Sequence, residues 1–344
     1  MLKSLQIGRG IAALSVAAFH LSNGFEPGES ILADLCRHGH AGVDFFFVLS
    51  GFIIFHVHGQ DVGKPGRLHR YLRNRFVRVY PTYWLYTVVF VCAVLAFDGS
   101  TVLPTTRLGW ASTISLIRLS EEPTPISVAW TLFYEIGFYL AFAALIASRR
   151  VGMVLMGIWV VAILGHYQVS PRTRPEGVWT SLLCINFFIG MGACWLHQRL
   201  SPTAAAIPLA AGAVGLTITA LQVDRGMSQN EFTLAVGLCC GLIILGVTTL
   251  ERTHSFSFGP LVALGNASYT FYLAHQHIQG AIKDGLAQLG IADDLPVDVS
   301  FVGILILGAF VAYAIHRLIE VPLIARLRLI STSNRPAVTD LPCA

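Results

Sequence analysis

Charge is what this chain has least of. Asp, Glu, Lys and Arg make up 12% of its 344 residues, while 54% are hydrophobic. A soluble domain carries about 25% charged residues. Half that density cannot cover a globular surface with polar groups. This argues against a soluble enzyme, a disordered protein and a nucleic-acid binder. Cysteine is sparse as well. The seven cysteines form no CxxC pair, and Cys239 and Cys240 sit side by side in an apolar run. Neither a disulfide scaffold nor a zinc site is indicated, and the cysteines read as small apolar packing residues. No GxGxxG or Walker loop occurs, so the nucleotide-binding folds have no support. Low-complexity tracts and clear internal repeats are also lacking.

What is present is a series of apolar stretches near the length of about 20 residues that a bilayer demands. Ten are expected to span: 5–24, 40–57, 82–98, 126–147, 152–168, 179–197, 203–222, 232–250, 261–279 and 299–317. The fold class is therefore all-α, a polytopic membrane protein of about ten helices. The first stretch follows Lys3 and mimics a signal peptide, but it has no clear small-x-small cleavage site and is read as retained. Ten spans put both termini on one side. If that side is cytoplasmic, sixteen of the 23 basic residues lie inside, which supports N-in and C-in by the positive-inside rule. Of the 19 acids, thirteen fall outside and four inside (Asp61, Glu251, Glu320, Asp340), while Asp44 and Glu135 fall within spans. Short loops imply one membrane domain over residues 1–330. Residues 331–344 read as a cytoplasmic tail.

Ionisable groups inside spans are costly and mark function by default. Arg9 and His20 share the first span. Eleven residues at 100° each put both side chains on one helix face, about 16 Å apart along the axis. Arg9 also suits a snorkelling anchor, and His20 a hydrogen-bonded interhelical histidine. Asp44, in GVDFFFVLSGF, either orients a histidine or caps a helix N-terminus. Ser50-Gly51 in the same stretch suggests close helix packing. Glu135, in SVAWTLFYEIGFY, lies near mid-membrane and must pair or protonate. His275, in NASYTFYLAHQ, has Tyr269 and Tyr272 on neighbouring turns. His56 and His58 are alternate residues on different helix faces, so a metal site there is not supported.

The inner loop 67–84, RLHRYLRNRFVRVYPTYW, concentrates Arg67, Arg70, Arg73, Arg75 and Arg78. Attraction to anionic lipid heads accounts for such a cluster. A polyanion site does so equally, because guanidinium forks suit phosphates.

Together, RGIAALSVAAFH, GVDFFFVLSGFII, RNRFVRVYPTYWL, SVAWTLFYEIGFYL and LGNASYTFYLAHQ resemble the acyltransferase-3 family of integral membrane acyltransferases, from about residue 5 to 325. The Arg-x10-His spacing and VLSGF are the most specific signatures, and WTLxYExxFY is similar to the bacterial exopolysaccharide acetyltransferases. The resemblance implies transfer of an acyl group, usually acetyl, from cytoplasmic acetyl-CoA to a hydroxyl of a cell-surface glycan or its lipid-linked precursor. It implies a multi-pass protein of the bacterial inner membrane, with no metal. The family's Arg and His fall on Arg9 and His20, its basic motif on Arg73, Arg75 and Arg78, and its glutamate on Glu135 beside Trp130. LAHQ departs from the commoner His-Pro ending at His275. In the expected mechanism Arg9, Arg73, Arg75 and Arg78 hold the donor phosphates, and His20 is general base in a direct transfer or, in a two-step route, the nucleophile that forms an acyl-enzyme. Asp44 or Glu135 holds the imidazole tautomer. Tyr269 and Ser127 are oxyanion donors, and His275, Tyr269, Trp130 and Ser127 face substrate. Two other readings fit the same buried groups. One is a saccharide or lipid-linked glycan transporter or flippase with a proton relay; the other is a membrane scaffold or sensor.

Overall fold

The computed structural model describes residues 2–97, 103–169, 177–223, 225–291 and 295–333. Among them the chain is helical, with no strand. The helices are α1 (Lys3–Ser22), α2 (Ile31–Cys36), α3 (Ala41–His58), α4 (Leu68–Phe97), α5 (Arg107–Ser115), α6 (Trp130–Ala147) and α7 (Arg149–Val169). They continue with α8 (Ile185–His197), α9 (Ala206–Val223), α10 (Gln229–Leu250), α11 (Gly259–Asn266), α12 (Ser268–Gln288), α13 (Val297–Ile315) and α14 (Val321–Ser333). The tail expected at 331–344 lies, from 334 on, outside the described residues, as do Arg172, Arg174 and Arg335.

Every expected span overlaps a helix, but the elements differ in kind. Among the described residues, seven helical stretches are long and apolar enough to cross a membrane. They contain α3, α4, α6, α7, α9, α10 and α13. Helix α8 has only 13 residues. Helices α1 and α12 are long, but their polar residues, Arg9 and His20 on one and His275, Gln276 and Gln279 on the other, dilute their hydropathy.

Three segment boundaries need correction. The basic stretch 67–84, expected as a loop, is the first half of the 30-residue α4, which continues through Pro81. Pro81 lacks the N–H that the Val77 carbonyl would receive, yet the helix carries on. The expected span 261–279 is broken at Ala267, the boundary between α11 and α12. The last span does not stop at 317, because a π-helical turn at His316–Glu320 joins α13 to α14. Such turns are often found at functional sites.

Close backbone approach holds the centre together. Helix α3 packs along α8, and α10 packs against both. A Cβ at Gly51 would overlap the Phe187 carbonyl oxygen, and one at Gly190 the Val48 carbonyl oxygen. Only glycine lets these backbones meet, as the Ser50-Gly51 pair foretold. The start of α1 is fixed from a distance. The Glu251 carboxylate accepts the Lys3 and Ser4 amides at 2.7 and 3.1 Å, so two orphan N–H groups gain a partner. Helix α4 binds the end of α5 in the same spirit. Tyr80, Tyr83 and Trp84 donate to the carbonyls of Ser115, Thr113 and Ile114 at 2.7, 3.0 and 2.9 Å.

Candidate active site

A cavity of about 1140 Å³ enters the bundle between α1, α3, α4, α6 and α12. One end of it is basic. Arg9, Arg73, Arg75, Arg78 and Arg317 line it, with His56 and His316. Four of the predicted phosphate-binding residues thus converge on one space, three from α4 and one from α1. A helical α4 explains the arrangement. Arg75 and Arg78 are three residues apart and share a face, whereas a loop would not fix their spacing.

Three of these guanidiniums are steadied by a neighbour. Arg9 donates to the Ser268 hydroxyl at 2.8 Å and to Gln6 at 3.4 Å. The Arg75 guanidinium lies 5.7 Å over the Tyr139 ring, and its Nε is buried without a hydrogen-bond partner. Arg78 lies 5.4 Å over the Tyr269 ring and 3.6 Å from the Glu320 carboxylate.

Glu320 was missed in the sequence, where its position near the chain end placed it among the inner surface acids. The π-helical turn instead buries it to 1% exposure. There it accepts from Thr270 at 2.5 Å and pairs with His316 at 2.6 Å. The i, i+4 spacing of His316 and Glu320 was the available signal.

Glu135 projects into the cavity, as a mid-span carboxylate must if it avoids lipid. It accepts a short hydrogen bond from the Tyr139 hydroxyl and a longer one from Ser50 at 3.3 Å. Asp44 lies apart from it, 3% exposed, and accepts from the Asn186 amide at 2.9 Å. Neither carboxylate therefore holds His20, contrary to expectation. Their helices direct them to other partners.

The residue at His20 is His275. Its Nε2 lies 3.1 Å from the His20 Nδ1, with ring centroids 4.9 Å apart. The His20 Nδ1 is also 3.0 Å from the Val16 carbonyl oxygen. Helix α12 is tied to α1 again one turn further on, where Gln279 donates to the Ala17 carbonyl at 3.0 Å. His275 is 1% exposed, and its ring sits between helices.

The cavity lining ends at Val43, Thr131 and Tyr272. The Thr131 and Tyr272 hydroxyls are 3.0 Å apart, and Phe46 meets the Tyr272 ring edge-on. From Tyr272 to His275 is three residues, about 4.5 Å along α12. The basic cavity thus stops one helical turn short of the histidine pair.

The remaining predicted contacts divide. Tyr269 lines the cavity, but its hydroxyl donates to the Val79 carbonyl at 3.0 Å, so it anchors α12 to α4 in this arrangement. Ser127 donates to Gln276, the residue after His275. Trp130 is 40% exposed against Tyr134, at the same end of α6. Both sit beyond the cavity, on the histidine side.

Known proteins give this geometry a context. The exopolysaccharide production protein ExoZ of Rhizobium meliloti (strain 1021) is 29% identical over 299 residues, 84% of this chain and 91% of that protein. The peptidoglycan O-acetyltransferase OatA of Listeria monocytogenes is 25% identical over 314 residues, covering 78% of this chain and 48% of OatA. This chain thus spans about half of OatA's length. Protein 2 in the picA locus of Rhizobium radiobacter is 28% identical over 180 residues, 45% of this chain and 88% of that protein. No solved structure matches the chain. Residues 2–317 match the acyltransferase-3 profile, the Acyltransferase domain, and the chain belongs to this family and is an acyltransferase.

Proposed function

We propose that this acyltransferase moves an acetyl group from acetyl-CoA to a hydroxyl of an exopolysaccharide or other cell-surface glycan, or of its lipid-linked precursor. The observation that carries this reading is the cavity itself. It opens among five guanidiniums and closes one helical turn from His20 and His275. The similarity to ExoZ favours an exopolysaccharide acceptor, and the similarity to OatA favours an acetyl ester.

In this reading the basic end faces the cytoplasm of a bacterium, as the distribution of lysine and arginine favours. Arg9, Arg73, Arg75 and Arg78 hold the donor's phosphates by charge-assisted hydrogen bonds. The extended thiol arm runs along α1, spanning the roughly 16 Å from Arg9 to the His20 level. Tyr272 and Phe46 stand in its way, and the acyl end passes between them. The acceptor approaches from the opposite side, past Ser127, Trp130 and Gln276.

The chemistry then needs one base. His20 takes the proton of the glycan hydroxyl as its oxygen attacks the thioester carbonyl. The carbon–sulfur bond breaks, and the leaving thiolate takes the proton back from His20. The products are an acetyl ester and free coenzyme A. No metal takes part.

The test is acetyl-CoA-dependent transfer by the purified protein in detergent, with acetyl-labelled donor and the host's lipid-linked saccharide. Alkali-labile label on the saccharide supports the proposal. Saccharide moved across a vesicle membrane without gaining an ester, in a preparation that leaves acetyl-CoA intact, would refute it.

A further inference from the structure

We propose that His275 is the positioning residue that fixes His20 in the tautomer with a bare Nε2, the form a general base requires. The inference rests on the reading of His20 as base.

Lone pairs decide the tautomer. The His275 Nδ1 lies 2.8 Å from the Tyr272 carbonyl oxygen and 3.2 Å from that of Phe271. A carbonyl oxygen only accepts, so this nitrogen carries the proton. In neutral imidazole the other nitrogen is then a lone pair. The His275 Nε2 is therefore an acceptor, and it faces the His20 Nδ1 at 3.1 Å. That same Nδ1 faces the Val16 carbonyl oxygen at 3.0 Å. With two acceptors in front of it, the His20 Nδ1 carries its proton and shares it between them. The proton having been placed on Nδ1, the His20 Nε2 is bare. Moving the His20 proton to Nε2 sets lone pair against lone pair at both Val16 and His275; moving the proton on both rings restores the histidine contact but turns bare nitrogens toward the Val16, Phe271 and Tyr272 carbonyls.

The arrangement does for His20 what a carboxylate does for the histidine of a catalytic triad, but without a charge. A neutral orienter suits this place. His275 is 1% exposed, and a carboxylate there would need a counter-charge. The Gln279 bond to the Ala17 carbonyl, at 3.0 Å, holds α12 in register with α1 one turn away. His275 thus acts through His20 and need not touch substrate.

Two experiments test this. Nitrogen-15 NMR of histidine-labelled wild-type protein in detergent, with signals assigned against His20→Gln, reads the tautomers directly. The expected spectrum at neutral pH shows His20 protonated at Nδ1 and unprotonated at Nε2, and the same for His275. A protonated His20 Nε2 overturns the proposal, whatever the variants do. Kinetics supply the second test. His275→Leu removes the acceptor and should lower kcat on the order of tenfold or more, with the KM for acetyl-CoA little changed. His275→Gln can place a carbonyl oxygen near the lost nitrogen and should recover part of that kcat. Wild-type kcat in His275→Leu, alongside an inactive His20→Ala, refutes the positioning role and leaves His20 as base. Full activity in His20→Ala refutes the underlying reading instead. Where His275→Leu fails to fold, the wild-type spectrum decides.

Discussion

Arg78 and Glu320 meet at 3.6 Å, one from the middle of α4 and the other from the π-helical turn between α13 and α14. At the basic end of the cavity the contact joins helices far apart in sequence. Glu320 is 1% exposed and has Thr270 and His316 as further partners. Removing one partner of a buried pair leaves the other uncompensated. Glu320→Ala is expected to lower stability by about 3 kcal/mol. Glu320→Gln, which keeps an oxygen for Thr270, should lose less. Thermal unfolding of both variants in the same detergent checks the order.

Arg9 is the basic residue that α1 contributes to the cavity lining. Its guanidinium is held by Ser268 at 2.8 Å and faces the space that Arg75 and Arg78 also line. A hydrogen bond to a charged group is worth about 1.5–3 kcal/mol. Arg9→Ala should therefore raise the KM for acetyl-CoA between about tenfold and a hundredfold. Arg9→Lys keeps the charge but loses the fork and should fall between. An unchanged KM in Arg9→Ala, by initial-rate kinetics, would remove Arg9 from the donor site.

Asp44 is held by Asn186 at 2.9 Å and makes no hydrogen bond to His20. Its substitutions should therefore act on the fold more than on the reaction. Asp44→Asn retains an acceptor for the Asn186 amide and should keep most of the wild-type kcat. Asp44→Leu strands that buried amide, which costs about 1–3 kcal/mol. Measuring kcat and melting temperature together separates the two effects.

Gly51 and Gly190 permit the α3–α8 contact. Gly51→Val should abolish stably folded protein, because its side chain would meet the Phe187 backbone rather than a flexible side chain. Gly280 on α12 has open space where a Cβ would go. Gly280→Ala should leave stability unchanged or raise it by about 0.5 kcal/mol. Size-exclusion profiles in detergent report both outcomes.

Among the described residues no group of three His, Cys, Asp or Glu is placed to hold a metal ion. With His20 as the base, acetyl transfer should survive exhaustive treatment with EDTA. Loss of activity that added divalent metal restores would contradict a mechanism run by His20 alone.

The sequence carried much of this in its scarce polar residues. Arg9 and His20 were legible because eleven residues return to one helix face, and Arg9 does line the cavity. The role of α4 was harder to read. Its arginines are dense and Pro81 follows, so the segment looked like a loop, yet helical spacing aims Arg75 and Arg78 inward. Glu320 was hidden for a related reason. A π-helical turn shifts the face on which a residue lies, and the i, i+4 spacing from His316 was the one hint of its partner. The His20–His275 pair was out of reach altogether. Both residues stood out singly, but their contact joins helices separated by most of the chain, and a triad-like carboxylate was the simpler expectation for the imidazole.

The central claim is that donor binding and proton removal are separate tasks, the first done by the basic cavity and the second by His20. The most direct measurement is made on purified His20→Ala in detergent: acetyl-CoA affinity by calorimetry, and acetyl transfer to the lipid-linked saccharide by label. The account predicts near wild-type affinity with transfer lowered by about a hundredfold or more. Transfer at the wild-type rate in this variant would contradict it.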